Sequence, residues 1–412
     1  MKKASIVSTG NEILLGRVLD TNAAYLSEKL FSIGIPVVGI HTVGDDIEQI
    51  IRALETASGE ADVVLITGGL GPTDDDLTRQ GLAKFLGIEL KMEESILRKI
   101  IRFFIERNLR MPEKNKIQAY IPAGAKELAN NIGTAPGIMA EKEGKLFAAM
   151  PGVPTEMKRM FEESVLPELE KFGDRQAIVL KKLRCFGMGE SAIAEMLGSM
   201  MQRGRNPLVN CTVEAGVITL HIIATAESKE QAQQLADKDE KKLRKKLGEL
   251  VYGEGEQSLA EVVGEKLAGR GETVAVAESC TGGELAKLIT DIPGASRYFR
   301  QGWVTYSNES KVNELGVPAE LIERYGAVSY EAAEAMAKQA RKISGTDYAI
   351  AITGISGPTG ATEQKPLGLV YISVDSGKGC ETRRFVFPNN RELMRIRSAQ
   401  AALNMLRLIL QV

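Results

Sequence analysis

The sequence predicts an α/β protein: two α/β domains with mostly parallel sheets, joined by a small α+β module. Three observations carry this. Residues 1 to about 168 alternate short apolar strand patterns with helical ones, and the chain from Ser258 onward does the same. Between them, from Ala177 to about Tyr252, the order changes to strand, helix, hairpin, helix. A length of 412 residues suits two or three domains, and 44% hydrophobic with 26% charged residues supplies a core for each.

In chain order, 5–8 is a short buried strand that ends at Thr9-Gly10. Ala24, Leu26, Leu30 and Ile33 recur at helical spacing, and 36–42 is a second strand. Ile47, Ile50, Ile51 and Leu54 share one face of a second helix. The continuous apolar run 62–67 is a strand, 68–73 a Gly-rich turn and 74–86 a helix. A late strand at 145–150 and the turn Pro151-Gly-Val-Pro154 lead into a helix over 156–161. In the middle module the hairpin turns at Glu214-Ala-Gly216, and the helix over 229–247 is crowded with charge, as a solvated face is. Gly253-Glu-Gly-Glu-Gln257 reads as a linker, and Ser258-Leu-Ala-Glu261 as a capping box. The domains expected are 1–168, 175–252 and 255–412.

Composition narrows the function. A net charge of −2, from 52 basic and 54 acidic side chains, gives no electrostatic reason for nucleic acid or an anionic membrane as partner. Cys185, Cys211, Cys280 and Cys380 are widely spaced and form no C-x-x-C pair, so reduced thiols in a cytoplasmic protein are expected. No apolar run is long enough for a secretory leader or a bilayer span. The only histidines are His41 and His221.

That scarcity matters at Ala277-Glu-Ser-Cys-Thr-Gly-Gly283, which follows a predicted strand and opens a predicted helix. At such a junction Ser279 is held near free backbone N–H groups, those of Thr281, Gly282 and Gly283, which suit an oxyanion. An ordinary N-cap is the commoner reason for a Ser or Thr there. Cys280 is a rival nucleophile, ranked below Ser279 because it is the side chain more apt to face the core. In Trp303-Val-Thr-Tyr-Ser-Asn-Glu-Ser-Lys311, Tyr306 stands at a strand end and Lys311 just inside a helix, with Asn308 between them. No histidine follows His221, so a Ser-His-Asp triad within this domain is impossible. The base must be another group, and a lysine can serve where desolvation lowers its pKa, although a solvated surface lysine is the common case. Thr353-Gly-Ile-Ser-Gly-Pro-Thr-Gly360 adds Gly354, Gly357, Thr359 and Gly360, a loop suited to phosphate or ribose oxygens.

Together these stretches resemble the C-terminal domain of the CinA family, the nicotinamide-nucleotide amidase also called PncC, from Ser258 to the end. The resemblance implies hydrolysis of nicotinamide mononucleotide to nicotinate mononucleotide and ammonia, without a cofactor. It makes Ser279 the nucleophile, Lys311 and Tyr306 its activators, and Arg391 the residue facing the substrate phosphate. The family usually has Gly-Asp where this chain has Asn389-Asn390.

Residues 1 to about 168 carry Gly10-Asn-Glu-Ile-Leu-Leu-Gly16, Asp20-Thr-Asn22, Thr67-Gly-Gly-Leu-Gly-Pro-Thr-Asp-Asp-Asp76, Gly133-Thr-Ala-Pro-Gly137 and Met150-Pro-Gly-Val-Pro154. They resemble the molybdopterin-binding fold of the MogA and MoaB type, in the version CinA proteins carry. Gly68, Gly69, Gly71 and Thr73 suit a phosphate beside a helix N-terminus. Asp74, Asp75 and Asp76 would repel a bare phosphate but suit a divalent metal, Mg²⁺ or similar, with Glu12 and Asp20 as further ligands. Acids in a first helical turn also simply complement the helix dipole. The resemblance implies metal-dependent ADP-ribose pyrophosphatase activity. Molybdopterin binding is the rival, and a non-enzymatic role in competence or DNA damage is the alternative for the whole chain. The middle module resembles the KH-like domain of full-length CinA proteins. Its Gly187-Met-Gly-Glu190 is acidic where RNA-binding modules are basic, so a packing role or a homodimer is expected.

Overall fold

Strand β1 (Ala4–Thr9) is buried along its whole length, which requires apolar cover on both faces. Successive strand residues point to opposite faces. Accordingly Ile6 enters a core with Leu26, Leu30 and Leu65, and Val7 enters another with Ile50, Leu54 and Ile66. The structure, a computed structural model, describes residues 2–172, 177–387 and 390–411. β1 pairs in parallel with β2 (Val37–Val43) and β3 (Val63–Thr67), and β3 in parallel with β5 (Lys145–Met150). β4 (Gly137–Lys142) and a short edge strand, Lys126–Leu128, complete the sheet in antiparallel sense. Helices α1 (Thr21–Ser32) and α2 (Ile47–Glu60) cover opposite faces.

The helix expected over 74–86 starts later: α3 spans Thr78–Leu86. Asp76 is the reason. Its carboxylate accepts from Gly71 N at 2.8 Å, Thr73 N at 2.7 Å and Thr73 Oγ at 2.6 Å, folding 71–76 into a closed loop. Asp74, Asp75 and Asp76 therefore precede the helix and do not lie in its first turn.

The chain forms two compact units, Met1–Val179 with Thr225–Gln233, and Leu180–Ala224 with Gln234–Val412. In the second, β6 (Ala177–Cys185), α4 (Glu190–Leu197), the hairpin β7 (Leu208–Glu214) and β8 (Val217–Ala226), and α5 (Lys229–Leu247) follow the expected order. Ala215 and Gly216 turn the hairpin with positive φ, 48° and 89°. The linker expected at 253–257 is instead ordered structure. β9 (Val251–Glu254) pairs with β6, and Gln257 Oε1 accepts from Glu254 N at 3.0 Å. Residue 175, an expected domain boundary, lies outside the described residues, as do Pro388 and Asn389.

Beyond Ser258, whose capping box is present, comes α6 (Leu259–Arg270). The sheet order is β11 (Phe299–Val304), β10 (Val274–Glu278), β12 (Tyr348–Gly354), β13 (Leu369–Asp375), β14 (Cys380–Val386). The first three are parallel and the last two antiparallel. Helices α7 (Glu284–Thr290), α8 (Asn308–Asn313), α9 (Tyr330–Ser344) and α10 (Arg391–Ile409) complete it. In each sheet the chain leaves a central strand, β1 or β10, for a neighbour on one side and returns on the other. The crevice beyond the carboxyl ends of such strands is where α/β sheets bind ligands.

Candidate active site

Ser279 stands directly beyond β10, its N–H donating to Ile352 O of β12 at 2.9 Å. Gly282 N–H donates back to Ser279 O at 3.1 Å, which closes a four-residue turn. Gly282 and Gly283 have φ of 59° and 96°, a conformation that favours glycine. The fully buried Glu278 then fixes the start of α7, accepting from Gly283 N at 3.1 Å, Leu285 N at 3.0 Å and Ala286 N at 2.8 Å. The oxyanion donors expected at Thr281–Gly283 are thereby corrected. The N–H groups of Gly282 and Gly283 are already used, whereas that of Thr281 has no acceptor among the described residues and that of Cys280 meets only its own thiol.

Lys311 is 1% exposed and reaches Ser279 Oγ with Nζ at 3.0 Å. It also donates to the carbonyls of Thr305, Tyr306 and Ser307 at 2.8, 3.3 and 3.4 Å. Burial pushes it down from 10.5 to about 8. The thiol of Cys280 is buried in the domain core and pushed up to about 12 by burial, the wrong direction for a nucleophile. Thr281 Oγ and Thr305 Oγ are buried without a partner beside this pair. Such orphans are rare and mark where a ligand or water completes the bonding.

Tyr306 is placed differently. Its hydroxyl accepts from Arg391 Nη2 at 2.8 Å, and only its backbone carbonyl meets Lys311. Arg391 Nη1 donates to Gly357 O at 2.6 Å, so both guanidinium ends are engaged. Asn390 caps α10, accepting from Glu392 N and Leu393 N. Gly354 cannot carry a side chain, since a Cβ would lie 2.7 Å from Leu369 O and 3.0 Å from Cys280 Sγ. Asn308, Thr359 and Gly360 are exposed, and nothing links them to Ser279.

In the first unit, a cavity of about 570 Å³ opens at the carboxyl ends of β1 and β3. Glu12, Asp20, Asn22, Asp45, Gly68, Gly69, Gly71, Thr73, Asp75 and Asp76 line it. Asp74 instead turns to Lys114 at 3.0 Å. Burial first, then the charges of Glu12, Asp75 and Asp76, hold the Asp45 carboxyl above its ordinary range. Behind the loop, Arg79 is buried, donates to Leu70 O and Gly71 O at 2.6 and 2.8 Å, and is pushed down to about 10 by burial.

Three family models match the chain in order: a probable molybdopterin binding domain over 5–171, the CinA KH domain over 180–253 and the CinA C-terminal domain over 256–410. A protein of Caldicellulosiruptor bescii whose name refers to competence and damage induction is 43% identical over 404 residues, 98% of each chain. The CinA-like protein of Kosmotoga olearia is 42% identical over 405 residues, again 98% of each.

The chain belongs to the CinA family.

A solved CinA structure from Thermoplasma acidophilum is 35% identical, with a TM-score of 0.38, covering 41% of this chain and 98% of that one. Within this CinA chain, motif reading singles out Ser279 and Lys311 but misses Glu278, Thr305, Asp45 and Arg79. The only signal for Glu278 is an acid closing the apolar run Val274-Ala-Val-Ala-Glu278. Among the described residues no three His, Cys, Asp or Glu side chains are gathered as metal ligands, and no helix is long and apolar enough to cross a membrane. The N-terminal cleft still fits a cation in its donor chemistry. Asp20 Oδ2 and Asn22 Oδ1 are buried oxygens without partners, and Asp75 and Asp45 face the same cavity. Asp76 does not fit, since its carboxylate already holds the loop.

Proposed function

We propose that the C-terminal site hydrolyses the carboxamide of nicotinamide mononucleotide. The observation that carries this is the buried contact of 3.0 Å between Ser279 Oγ and Lys311 Nζ. The neutral amine of Lys311 has two N–H bonds for the carbonyls around it and a lone pair for the serine O–H. Ser279 Oγ gives its proton to Lys311 and attacks the amide carbon. The carbonyl oxygen becomes an oxyanion facing the N–H groups of Cys280 and Thr281. The lysine ammonium then hands its proton to the departing nitrogen, and ammonia leaves an acyl-serine. A water, deprotonated by Lys311, attacks the ester, and the proton returns to Ser279 as nicotinate mononucleotide departs. No step needs a metal or cofactor. The choice of this substrate rests on the family resemblance, with Arg391 and the Gly354–Gly360 loop at the crevice for its phosphoribosyl part. Ammonia release by the purified chain tests the reading. Ser279→Ala should lower kcat by about 10³ or more, and Cys280→Ala should leave most activity. An active Ser279→Ala chain with a dead Cys280→Ala chain would make this a cysteine amidase.

For the N-terminal cleft the reading is hydrolysis of the ADP-ribose diphosphate. Asp20, Asn22, Asp45 and Asp75 would hold a divalent ion, and the Gly69 N–H would face the phosphates, since Gly68 N–H already donates to Met150 O and the carbonyls of Gly68 and Gly69 accept from Thr78. A cation there neutralises phosphate charge and acidifies a water. Chelation should abolish this activity and leave amide hydrolysis intact. Loss of both counts against the division. The alternative, molybdopterin binding, predicts that this cleft titrates with the pterin and leaves ADP-ribose uncleaved.

A further inference from the structure

We infer that Arg395 is a positioning residue for the turn that receives the oxyanion. The inference rests on the amidase reading of the same site. Arg395 lies one helical turn after Arg391 on α10, so the two share a face. Arg391 clips the Gly357 carbonyl and the Tyr306 hydroxyl. Arg395 clips the third wall, with Nε donating to Thr281 O at 2.7 Å. Its guanidinium also lies over Gly282, where a Cβ would stand 3.5 Å from Nη2.

This contact falls at a sensitive point. Thr281 C=O and Gly282 N–H belong to one rigid peptide plane. The N–H edge is tied to Ser279 O at 3.1 Å, and the C=O edge to Arg395 Nε at 2.7 Å and, at the longer distance of 3.3 Å, to Glu284 N. With both edges held, that plane cannot rotate. Its rotation is what would re-aim the preceding N–H groups, those of Cys280 and Thr281. Glu278 restrains the far side through Gly283, Leu285 and Ala286. The turn is thus clamped by an anion taking N–H groups at one end and a cation taking a carbonyl at the other. An arginine suits the second task because its planar fork donates through Nε while its flat face covers the glycine. Arg395 acts through the turn and touches neither Ser279 nor Lys311.

The test compares the full chain with Arg395→Met and Arg395→Lys in three measurements: ammonia release from nicotinamide mononucleotide, labelling of Ser279 by a fluorophosphonate, and thermal melting. Loss of one oxyanion donor costs about 10² to 10³ in kcat. Arg395→Met should therefore lower kcat about 10²-fold, with KM nearly unchanged and the pH midpoint of kcat/KM where the wild type has it. Arg395→Lys should recover part of the loss, and ethylguanidinium should partly rescue Arg395→Met. Fluorophosphonate labelling should slow in parallel, because its adduct also places an oxygen in the turn. A raised KM at unchanged kcat overturns the inference in favour of direct substrate contact, and a shifted pH midpoint in favour of action on Lys311. Wild-type kinetics in both variants overturn it outright. If Arg395→Met does not fold, Arg395→Lys carries the comparison. Should the wild type label but release no ammonia, the substrate reading falls and the labelling rates alone decide on Arg395. A wild-type serine that neither labels nor hydrolyses overturns both.

Discussion

Lys311 is held in a state that costs stability and makes the site reactive. Its folded value of about 8 lies below the 10.5 of an exposed lysine. Between those two the unfolded chain binds the extra proton, so unfolding free energy rises with pH. Below the folded value both states carry the charge and the full burial cost is present, on the order of 3 kcal/mol at pH 7. Above the unfolded value both are neutral and the cost is gone. Lys311→Met keeps the stem and deletes the charge. It should abolish ammonia release yet melt no lower than the wild type at pH 7, with any advantage shrinking toward pH 10. A variant melting well below the wild type at pH 7 would mean that the carbonyls of Thr305, Tyr306 and Ser307 outweigh the burial. For the wild type, kcat/KM should rise with pH through about 8 as the neutral amine accumulates. A profile flat across that range would exclude Lys311 as the base. The pair was legible in the sequence because the absence of histidine beyond His221 leaves few bases for a serine at a strand-to-helix turn. Glu278 and Arg395 were not, since both act on backbone atoms, and side-chain pattern does not record which peptide a distant side chain will reach.

At the scale of elements, the apolar runs are the part a sequence states plainly. β3 is buried on both faces and its residues read as a hydrophobic string, whereas β1, equally buried, keeps Ser5, Ser8 and Thr9 beside its apolar residues. The start of α3 was not legible, because three consecutive aspartates fit the first turn of a helix as well as a loop. What decides it is that Asp76 bonds three donors in the preceding loop, which holds 74–76 outside the helix. The aspartates therefore divide their tasks. Asp76→Ala should lower stability by about 1–2 kcal/mol, as loss of a cap does, and should disorder the cleft as a secondary effect. Asp75 is exposed and makes no hydrogen bond or ion pair among the described residues. Asp75→Ala should leave the melting temperature in place and weaken binding of a divalent ion in a calorimetric titration. The reverse pattern, a destabilising Asp75→Ala beside a neutral Asp76→Ala, would return Asp76 to the ligand set.

For the whole molecule, the glycines around 253–257 look like a hinge between an autonomous amidase domain and the module before it, and composition offers no other reading. The packing shows no such hinge, because the module and the domain after it share a core. Phe186, Val217 and Tyr252 of the middle module sit in one continuous core with Leu259, Leu267, Leu403 and Leu406. Arg407, 1% exposed, donates to Glu249 O at 2.6 Å and to Asn404 Oδ1 at 3.0 Å. The same helix, α10, bears Arg391 and Arg395 in its first turns and Arg407 near its end. The element that shapes the candidate site is therefore seated on the module at its other end. A fragment 255–412 loses the cover of three large apolar side chains, each worth about 1.5–3 kcal/mol when fully buried. It also leaves Arg407 without its carbonyl. That fragment should be less stable than one spanning 177–412 by up to roughly 4.5–9 kcal/mol, and should lose ammonia release at a temperature where the longer fragment keeps it. Tyr252→Ala in the full chain should reproduce part of the loss without any truncation. If 255–412 melts and hydrolyses like 177–412, the module is only a neighbour, and α10 needs no support beyond its own domain.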